Sequence, residues 1–116
     1  MWKLICATLI LAGPVLAQDW HLRESDVLFD AEGLQQVLSG QKIEYYDGGT
    51  SVFGSDGTYS YTYGGGGLWE GHYEVGDAGL VCVTFVTGTL RCDRFVRNDG
   101  RLVLLTEKGE RFPVRP

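Results

Sequence analysis

The sequence has few of the side chains on which enzymes usually depend. Beyond residue 17 it contains two histidines, His21 and His72, and two cysteines, and it has no Gly-x-Ser-x-Gly elbow of a serine hydrolase. It also lacks a glycine-rich phosphate loop, the ligand spacing of zinc sites and the clustered acidic residues of a calcium loop. We therefore predict no enzymatic activity, no cofactor and no metal site.

No hydrophobic run is long enough to span a bilayer, which takes about twenty residues. The N-terminal run, Leu4–Ala12, follows a single positive charge at Lys3 and is followed by the compact residues Val15–Ala17. This pattern predicts a cleavable secretory signal over residues 1–17, with the cut before Gln18. We expect a periplasmic or secreted protein with no membrane span.

The residues after the predicted cut are enough for one small domain. They divide into an N-terminal segment, 18–40, and a β domain, 41–116. The segment DAEGLQQVLSG indicates a short helix with Asp30 as N-cap and Gly40 just beyond its end. Three apolar side chains share one side of this helix: Leu34, Val37 and Leu38.

After the helix, short apolar or aromatic runs alternate with glycine-containing turns every eight to twelve residues or so, which is typical of β structure. An up-and-down sheet of this kind is best closed, because an open sheet leaves two unpaired edges. The predicted fold class is all-β: a small antiparallel up-and-down β-barrel with one N-terminal helix and a disulfide-linked hairpin. About eight strands are predicted, near 42–46, 51–54, 58–63, 68–75, 80–86, 90–97, 101–107 and 110–115.

Two cysteines, Cys82 and Cys92, remain in a chain that meets an oxidising compartment, so we predict that they form a disulfide. A three-residue loop over 86–88, with Gly88 in the left-handed conformation, places them directly opposite each other in a hairpin. In the chain-entropy picture this bond stabilises the fold by about 2.8 kcal/mol.

Turn residues predict the strand registers. A two-residue type I′ turn at Asp56-Gly57 would pair Val52 with Tyr61, and place the tyrosines of this hairpin on the face opposite Phe53. Hairpin turns at Asp99-Gly100 and over 107–109 bring three core side chains into line, Phe95, Leu104 and Phe112.

Three polar side chains, Glu70, His72 and Glu74, alternate on one face of a strand and lie about 6.6 Å apart along it. His72 and one glutamate could share a metal ion, but we expect a solvated outer face. A plain loop over 76–79 would instead turn these groups inward. We expect a bulge beside a glycine to shift the register and keep them outside.

Two further sets are candidate binding residues. Arg94 and Arg111 flank Leu105 on one face and are a possible anion contact, or are solvated or paired with acids. An aromatic row is a possible stacking platform for a sugar or another flat ligand, but we expect it to form the core of the barrel. Its members are Tyr59, Tyr61, Tyr63, Trp69 and Tyr73.

Charge is spread unevenly along the chain. Residues 18–77 carry two positive and eleven negative side chains, a net −9, whereas residues 78–116 carry seven positive and four negative, a net +3. The acidic balance argues against nucleic acid or an anionic membrane surface as the main partner. Either the two parts attract each other across the fold, which we expect, or the second part presents a basic binding face.

The segments FGSDGTY, GLWEGHYEV, VCVTF, RCDRF and NDGRL, within Leu38–Pro116, resemble small exported bacterial proteins of unknown function with a calycin-like (lipocalin-like or avidin-like) β-barrel. The resemblance implies the barrel and supplies no ligand-binding residues. Our leading hypothesis is a monomeric, non-enzymatic binding module. Its partner would be a small ligand in the barrel mouth or an exported protein at the rim. The alternatives are an inhibitor of a hydrolase and a ligand-free structural protein of the envelope.

Overall fold

A computed structural model describes residues 20–116, so the predicted signal peptide and its cleavage site lie outside the described residues. These residues form one helix, α1 (Ala31–Leu38), and antiparallel strands. No helix within residues 20–116 is long and apolar enough to cross a membrane. The strands are β1 (Val27–Leu28), β2 (Gln41–Glu44), β3 (Thr50–Phe53), β4 (Thr58–Thr62), β5 (Leu68–Val75), β6 (Leu80–Phe85), β7 (Leu90–Asn98), β8 (Arg101–Leu105) and β9 (Arg111–Pro113).

Strands β2 to β9 follow one another in chain order across a single sheet, which curls into a half-barrel. Its two edge strands approach each other at one point. There Tyr45 forms an isolated bridge with Val114, and the backbone N–H of Arg115 donates to the carbonyl of Glu44 at 2.8 Å. The predicted all-β, up-and-down class is confirmed, and residues 20–116 form nine strands where about eight were predicted. The additional strand, β1, pairs with β7.

The helix lies where its capping residues predict. Asp30 has an extended backbone conformation, and its carboxylate accepts a hydrogen bond from the N–H of Gly33 at 2.7 Å. Gly40 follows the helix with φ +74°, a conformation that glycine adopts without strain. Leu34 and Leu38 are fully buried, so the amphipathic pattern is also confirmed.

The helix covers one end of the half-barrel. Gln35 donates to the hydroxyl of Tyr73 at 3.4 Å, and that hydroxyl donates to the carbonyl of Gly54, in the β3–β4 turn, at 2.9 Å. The concave side is filled by a cluster of buried apolar side chains from the helix and most strands. Its members are Leu34, Leu38, Ile43, Tyr45, Phe53, Tyr59, Tyr73, Val81, Val83, Phe85, Phe95 and Leu104.

A smaller apolar cluster lies on the convex side of the sheet. Trp20 covers Val96, Val103 and Leu105 there, and Leu80 packs against the same group. The N-terminal segment therefore buries part of the outer surface of β7 and β8. Strand β1 extends this attachment. It pairs with Val96 and Arg97 of β7, just past Arg94, the last residue of β7 that pairs with β6.

Two predicted registers are confirmed. Cys82 lies opposite Cys92 and is disulfide-bonded to it, with the loop glycine in the left-handed conformation. Phe95 pairs with Leu104, which pairs in turn with Phe112. In both places a short hairpin turn fixes the pairing of the adjoining strands.

The predicted type I′ turn at Asp56-Gly57 is wrong. Gly57 has φ +91°, but Asp56 is not among the residues with positive φ. The Asp56 carboxylate instead accepts hydrogen bonds from the backbone N–H and the hydroxyl of Thr58, and the turn is closed by a bond from Gly54 N–H to the Thr58 carbonyl at 2.8 Å. The side chain of Asp56 thus stabilises a longer turn.

This longer turn moves the register by one residue. Phe53 pairs with Tyr59, and Ser51, rather than Val52, pairs with Tyr61. A one-residue slip exchanges the two faces of a strand. Tyr59 and Tyr61 therefore share the concave face with Ser51 and Phe53, contrary to the prediction that separated them.

The register shift predicted at the β5–β6 turn is confirmed. Ala78 and Gly79 both have positive φ, and His72 pairs with Thr84 while Glu74 pairs with Cys82. This pairing leaves the polar side chains of β5 on the convex side. Gly71 and Tyr73, which alternate with them, are buried on the concave side.

Candidate functional site

The end of the half-barrel opposite the helix is open. We call this end the mouth; it is formed by the β2–β3, β4–β5, β6–β7 and β8–β9 turns, which an up-and-down sheet places together. A cavity of about 70 Å³ opens here. Its lining combines buried apolar side chains with a polar group made of Tyr45, Asp47, Ser51, Tyr59, Tyr61, Arg91 and Asp93.

Strand alternation places a charged pair inside the mouth. Arg91 pairs with Val83 and Asp93 pairs with Val81, and both valines are buried on the concave side. Side chains of directly paired residues lie on the same face of a sheet. Because the disulfide occupies the intervening position of the hairpin on the convex side, it fixes the register that turns Arg91 and Asp93 inward.

The two charges form a close ion pair. Arg91 Nε lies 2.8 Å from Asp93 Oδ2, and the exposed fractions of the two side chains are 45% and 13%. Burial raises the pKa of the Asp93 carboxyl, and the neighbouring guanidinium of Arg91 opposes that shift without cancelling it. The Asp93 carboxylate is therefore poorly hydrated, which is energetically costly, whereas the Arg91 guanidinium keeps nearly half of its surface in water.

A chain of hydroxyl groups runs beside this pair. The Ser51 hydroxyl lies 2.9 Å from the Tyr59 hydroxyl and 3.4 Å from the Tyr45 hydroxyl, and Ser51 is 2% exposed. Burial raises the pKa of both tyrosines, so both keep their protons at neutral pH. Three hydroxyls have three protons but share two hydrogen bonds. At least one O–H is left to donate to another group.

The structure divides the predicted aromatic row. Tyr73 is buried at the helix end, while Tyr59 and Tyr61 line the cavity. Tyr63 and Trp69 are exposed by 50% and 42%. The rings of Tyr61 and Tyr63 meet edge to face with centroids 4.9 Å apart. Aromatic rings are thus continuous from the cavity to its edge, without forming one flat platform.

The glutamates and histidine of β5 lie away from the mouth. Glu70, His72 and Glu74 are all exposed on the convex surface. Within residues 20–116, no group of three or more histidine, cysteine or acidic residues is arranged to hold a metal ion.

The predicted arginine pair is also outside the mouth, and other groups of the chain engage both guanidinium groups. Arg94 donates to the carbonyl of Ala78 at 3.0 Å and lies over the ring of Trp20, 4.8 Å from its centroid. Arg111 makes two hydrogen bonds, of 3.0 and 2.8 Å, to the carboxylate of Asp26. The latter pair joins the acidic first part of the chain to the basic second part.

Five exposed apolar side chains lie at the mouth end of the sheet, on both of its faces, and we call this set the apolar rim. They belong to the ends of β4, β5, β6 and β7 and to the residues that follow them, all at the same end of the sheet. The members are Tyr63, Leu68, Trp69, Val86 and Leu90, each exposed by 42% or more. The rim therefore adjoins the polar cavity on one side.

The predictions from sequence omitted five polar residues of the site: Tyr45, Asp47, Ser51, Arg91 and Asp93. The signal for the last two was present, because the hairpin register sets these charges opposite Val83 and Val81. No protein-family model, curated protein or solved structure matches this chain.

Proposed function

We propose that this protein is an exported, non-enzymatic binding module that holds a small ligand at the mouth of its half-barrel. The observation that carries the proposal is the inward-facing Arg91–Asp93 pair beside the hydroxyl chain. These groups provide fixed donors and acceptors around an accessible cavity. Binding sites commonly combine an apolar lining with a few convergent polar groups in this way.

Stability of the fold is a weak explanation for this pair. An ion pair with one exposed partner contributes little to stability, about 0 to 1 kcal/mol, and burial of the Asp93 carboxylate is itself costly. The neighbouring concave positions, Val81, Val83 and Phe95, show that the site suits apolar residues. The covalent bond between the neighbouring strands already fixes the register. A role in binding explains why two charges are kept there.

The disulfide supports the export part of the proposal, because such bonds persist in oxidising compartments outside the cytosol. The predicted secretory signal points to the same compartment, and the resemblance to calycin-like barrels agrees with a ligand at an open end.

A second candidate, a protein partner such as a hydrolase to be inhibited, is favoured by the apolar rim. Side chains such as Val86 and Leu90, exposed by 76% and 63%, are the kind that a partner surface covers. The small-ligand proposal remains first because the polar groups of the cavity face inward, away from a flat partner.

The test is native mass spectrometry of the protein purified gently from its own secretory compartment, followed by NMR. We expect a bound small molecule in the mass spectrum. We also expect added fragments of that chemistry to shift the amide signals of Ser51 and Asp93. Asp93→Asn is the variant that tests the site, and Glu74→Gln, on the convex surface, is its matched control. A ligand-free mass together with no fragment binding at the mouth would refute the proposal, and a bound protein would favour the second candidate.

A further inference from the structure

The charges around the mouth disfavour an anionic ligand. The cavity lining carries Asp47, Arg91 and Asp93, a net charge of −1. The adjoining groove beside β7 and the β8–β9 turn adds two glutamates and Lys108, a further −1. An anion that approached Arg91 would meet this surplus of negative charge at short range.

A cationic ligand is disfavoured for a different reason. The guanidinium of Arg91 already occupies Asp93 Oδ2 at 2.8 Å and is tethered to the same strand. An added ammonium group would have to compete with this guanidinium and would be repelled by it. Asp47, the other carboxylate of the lining, is exposed to water and already accepts a hydrogen bond from the N–H of Gly49. It therefore offers a weaker anchor.

A neutral group that both donates and accepts suits the remaining hydrogen-bonding capacity. Among residues 20–116, the ion pair uses only Arg91 Nε and Asp93 Oδ2. The Nη groups of the arginine and the second carboxylate oxygen remain available, together with at least one O–H of the hydroxyl chain. A ligand hydroxyl can accept from the arginine and donate to the carboxylate. Two adjacent hydroxyls of a ligand can form hydrogen bonds with the arginine and the carboxylate at the same time.

The size of the cavity limits how much of a ligand enters it. A volume of about 70 Å³ has room for roughly two or three water molecules, at about 30 Å³ each. It admits a hydroxyl-bearing edge rather than a complete sugar ring. The rest of such a ring would lie outside, against Tyr61 and the exposed Tyr63. Its apolar C–H face can pack on an aromatic ring there.

We infer that the mouth is selective for a neutral polyhydroxylated ligand, a saccharide end or a polyol, whose hydroxyls bind Arg91, Asp93 and the Ser51 hydroxyl chain. This inference rests on the proposed binding function and assigns the chemical class of the ligand.

The test is a titration of the ¹⁵N-labelled protein, followed by two-dimensional NMR, with probes of three classes. Glucose, galactose, N-acetylglucosamine, sucrose and xylitol represent neutral hydroxyl compounds, and butylammonium and butyrate represent the charged classes. We expect at least one hydroxyl compound to shift the amides of Ser51, Arg91 and Asp93 in a saturable manner. Asp93→Asn should weaken this binding at least tenfold, while Glu74→Gln should leave it unchanged.

A second variant keeps the test decisive if Asp93→Asn does not fold. Ser51→Ala removes the central hydroxyl of the chain, and we expect at least a threefold weaker affinity. Binding of only charged probes at the mouth would overturn the inference and leave the proposed function standing. Absence of any binding at the mouth would overturn both. Sugar binding that neither variant weakens would overturn the inference alone, because it would place the sugar elsewhere.

Discussion

Removal of the carboxylate of Asp26 should destabilise this protein more than loss of any exposed charge. The side chain is 1% exposed and accepts four hydrogen bonds. Two come from Arg111, at 3.0 and 2.8 Å, and one each from the Asn98 side chain and the Arg23 backbone N–H, both at 2.7 Å. Through them, Asp26 attaches the segment that contains Trp20 to β7 and β9.

The magnitude follows from the charge that is left behind. Asp26→Asn keeps the shape but leaves the guanidinium of Arg111, which is 14% exposed, without its counter-ion. Breaking such a buried pair from one side costs about 3 to 5 kcal/mol. We expect the lower end, about 3 kcal/mol, because Arg111 lies on the edge strand β9 and can move toward water. For a domain of this size, that loss lowers Tm by roughly 12 to 24 °C.

The effect should depend on pH in a defined direction. The hydrogen bonds from Arg111, above all, hold the pKa of the Asp26 carboxyl well below its ordinary value of 3.8, and those from Arg23 and Asn98 act in the same direction. A carboxylate with a depressed pKa stabilises the folded state fully above the unfolded pKa, and this contribution is lost as the pH falls through the folded pKa. The difference between the wild type and Asp26→Asn should therefore shrink below about pH 4.

The assay is urea unfolding followed by tryptophan fluorescence, at neutral and acidic pH. Glu74→Gln is the matched control, because it removes the same charge from the exposed convex surface. The double variant Asp26→Asn/Arg111→Gln should be more stable than Asp26→Asn alone, since it no longer buries an unpaired charge. A loss no larger than that of Glu74→Gln would refute the role assigned to this ion pair, as would a loss that does not change in acid.

Three further predictions concern the frame that holds the site. Replacing both cysteines by alanine should lower the free energy of unfolding by about 2.8 kcal/mol in urea titrations, and an unchanged value would contradict the entropic argument. Burial raises the pKa of Tyr45 and Tyr59 above 10.0 in the folded protein, so these tyrosines ionise more readily in the unfolded chain. The urea midpoint should therefore decrease as the pH is raised from about 9 to about 11, and equal midpoints at the two pH values would contradict their burial. Gly71→Ala places a Cβ 2.8 Å from the Cα of Phe85, so it should lower the free energy of unfolding by about 1 to 3 kcal/mol in thermal melts. Gly65→Ala is the control, because there is open space around Gly65. Equal effects of the two substitutions would contradict this packing.

The sequence by itself determined the elements that depend on local chemistry. A capping aspartate at Asp30 and a glycine at Gly40 set the ends of the helix. Hairpin glycines and the pair of cysteines set the pairing of β6, β7, β8 and β9. Each of these features involves residues close together in the chain, so few competing arrangements exist.

Local chemistry was ambiguous at Asp56. The dipeptide Asp-Gly suits a type I′ turn, but an aspartate can also bond to the backbone two residues further on. The hydrogen bonds from Thr58 select the second arrangement and bring Ser51 and Phe53 to the same face as Tyr59 and Tyr61. The sequence therefore predicted two strands correctly but placed Ser51 and Phe53 on the face opposite the tyrosines.

Only the tertiary structure brought the candidate site together. Ser51 and Tyr59 come from β3 and β4, whereas Arg91 and Asp93 come from β7, and curling of the sheet makes them line one cavity. Strand β1 likewise depends on contacts of Asp26 with residues more than seventy positions away. Such contacts form only when the whole sheet is in place, because their energy depends on distance in space and not along the chain.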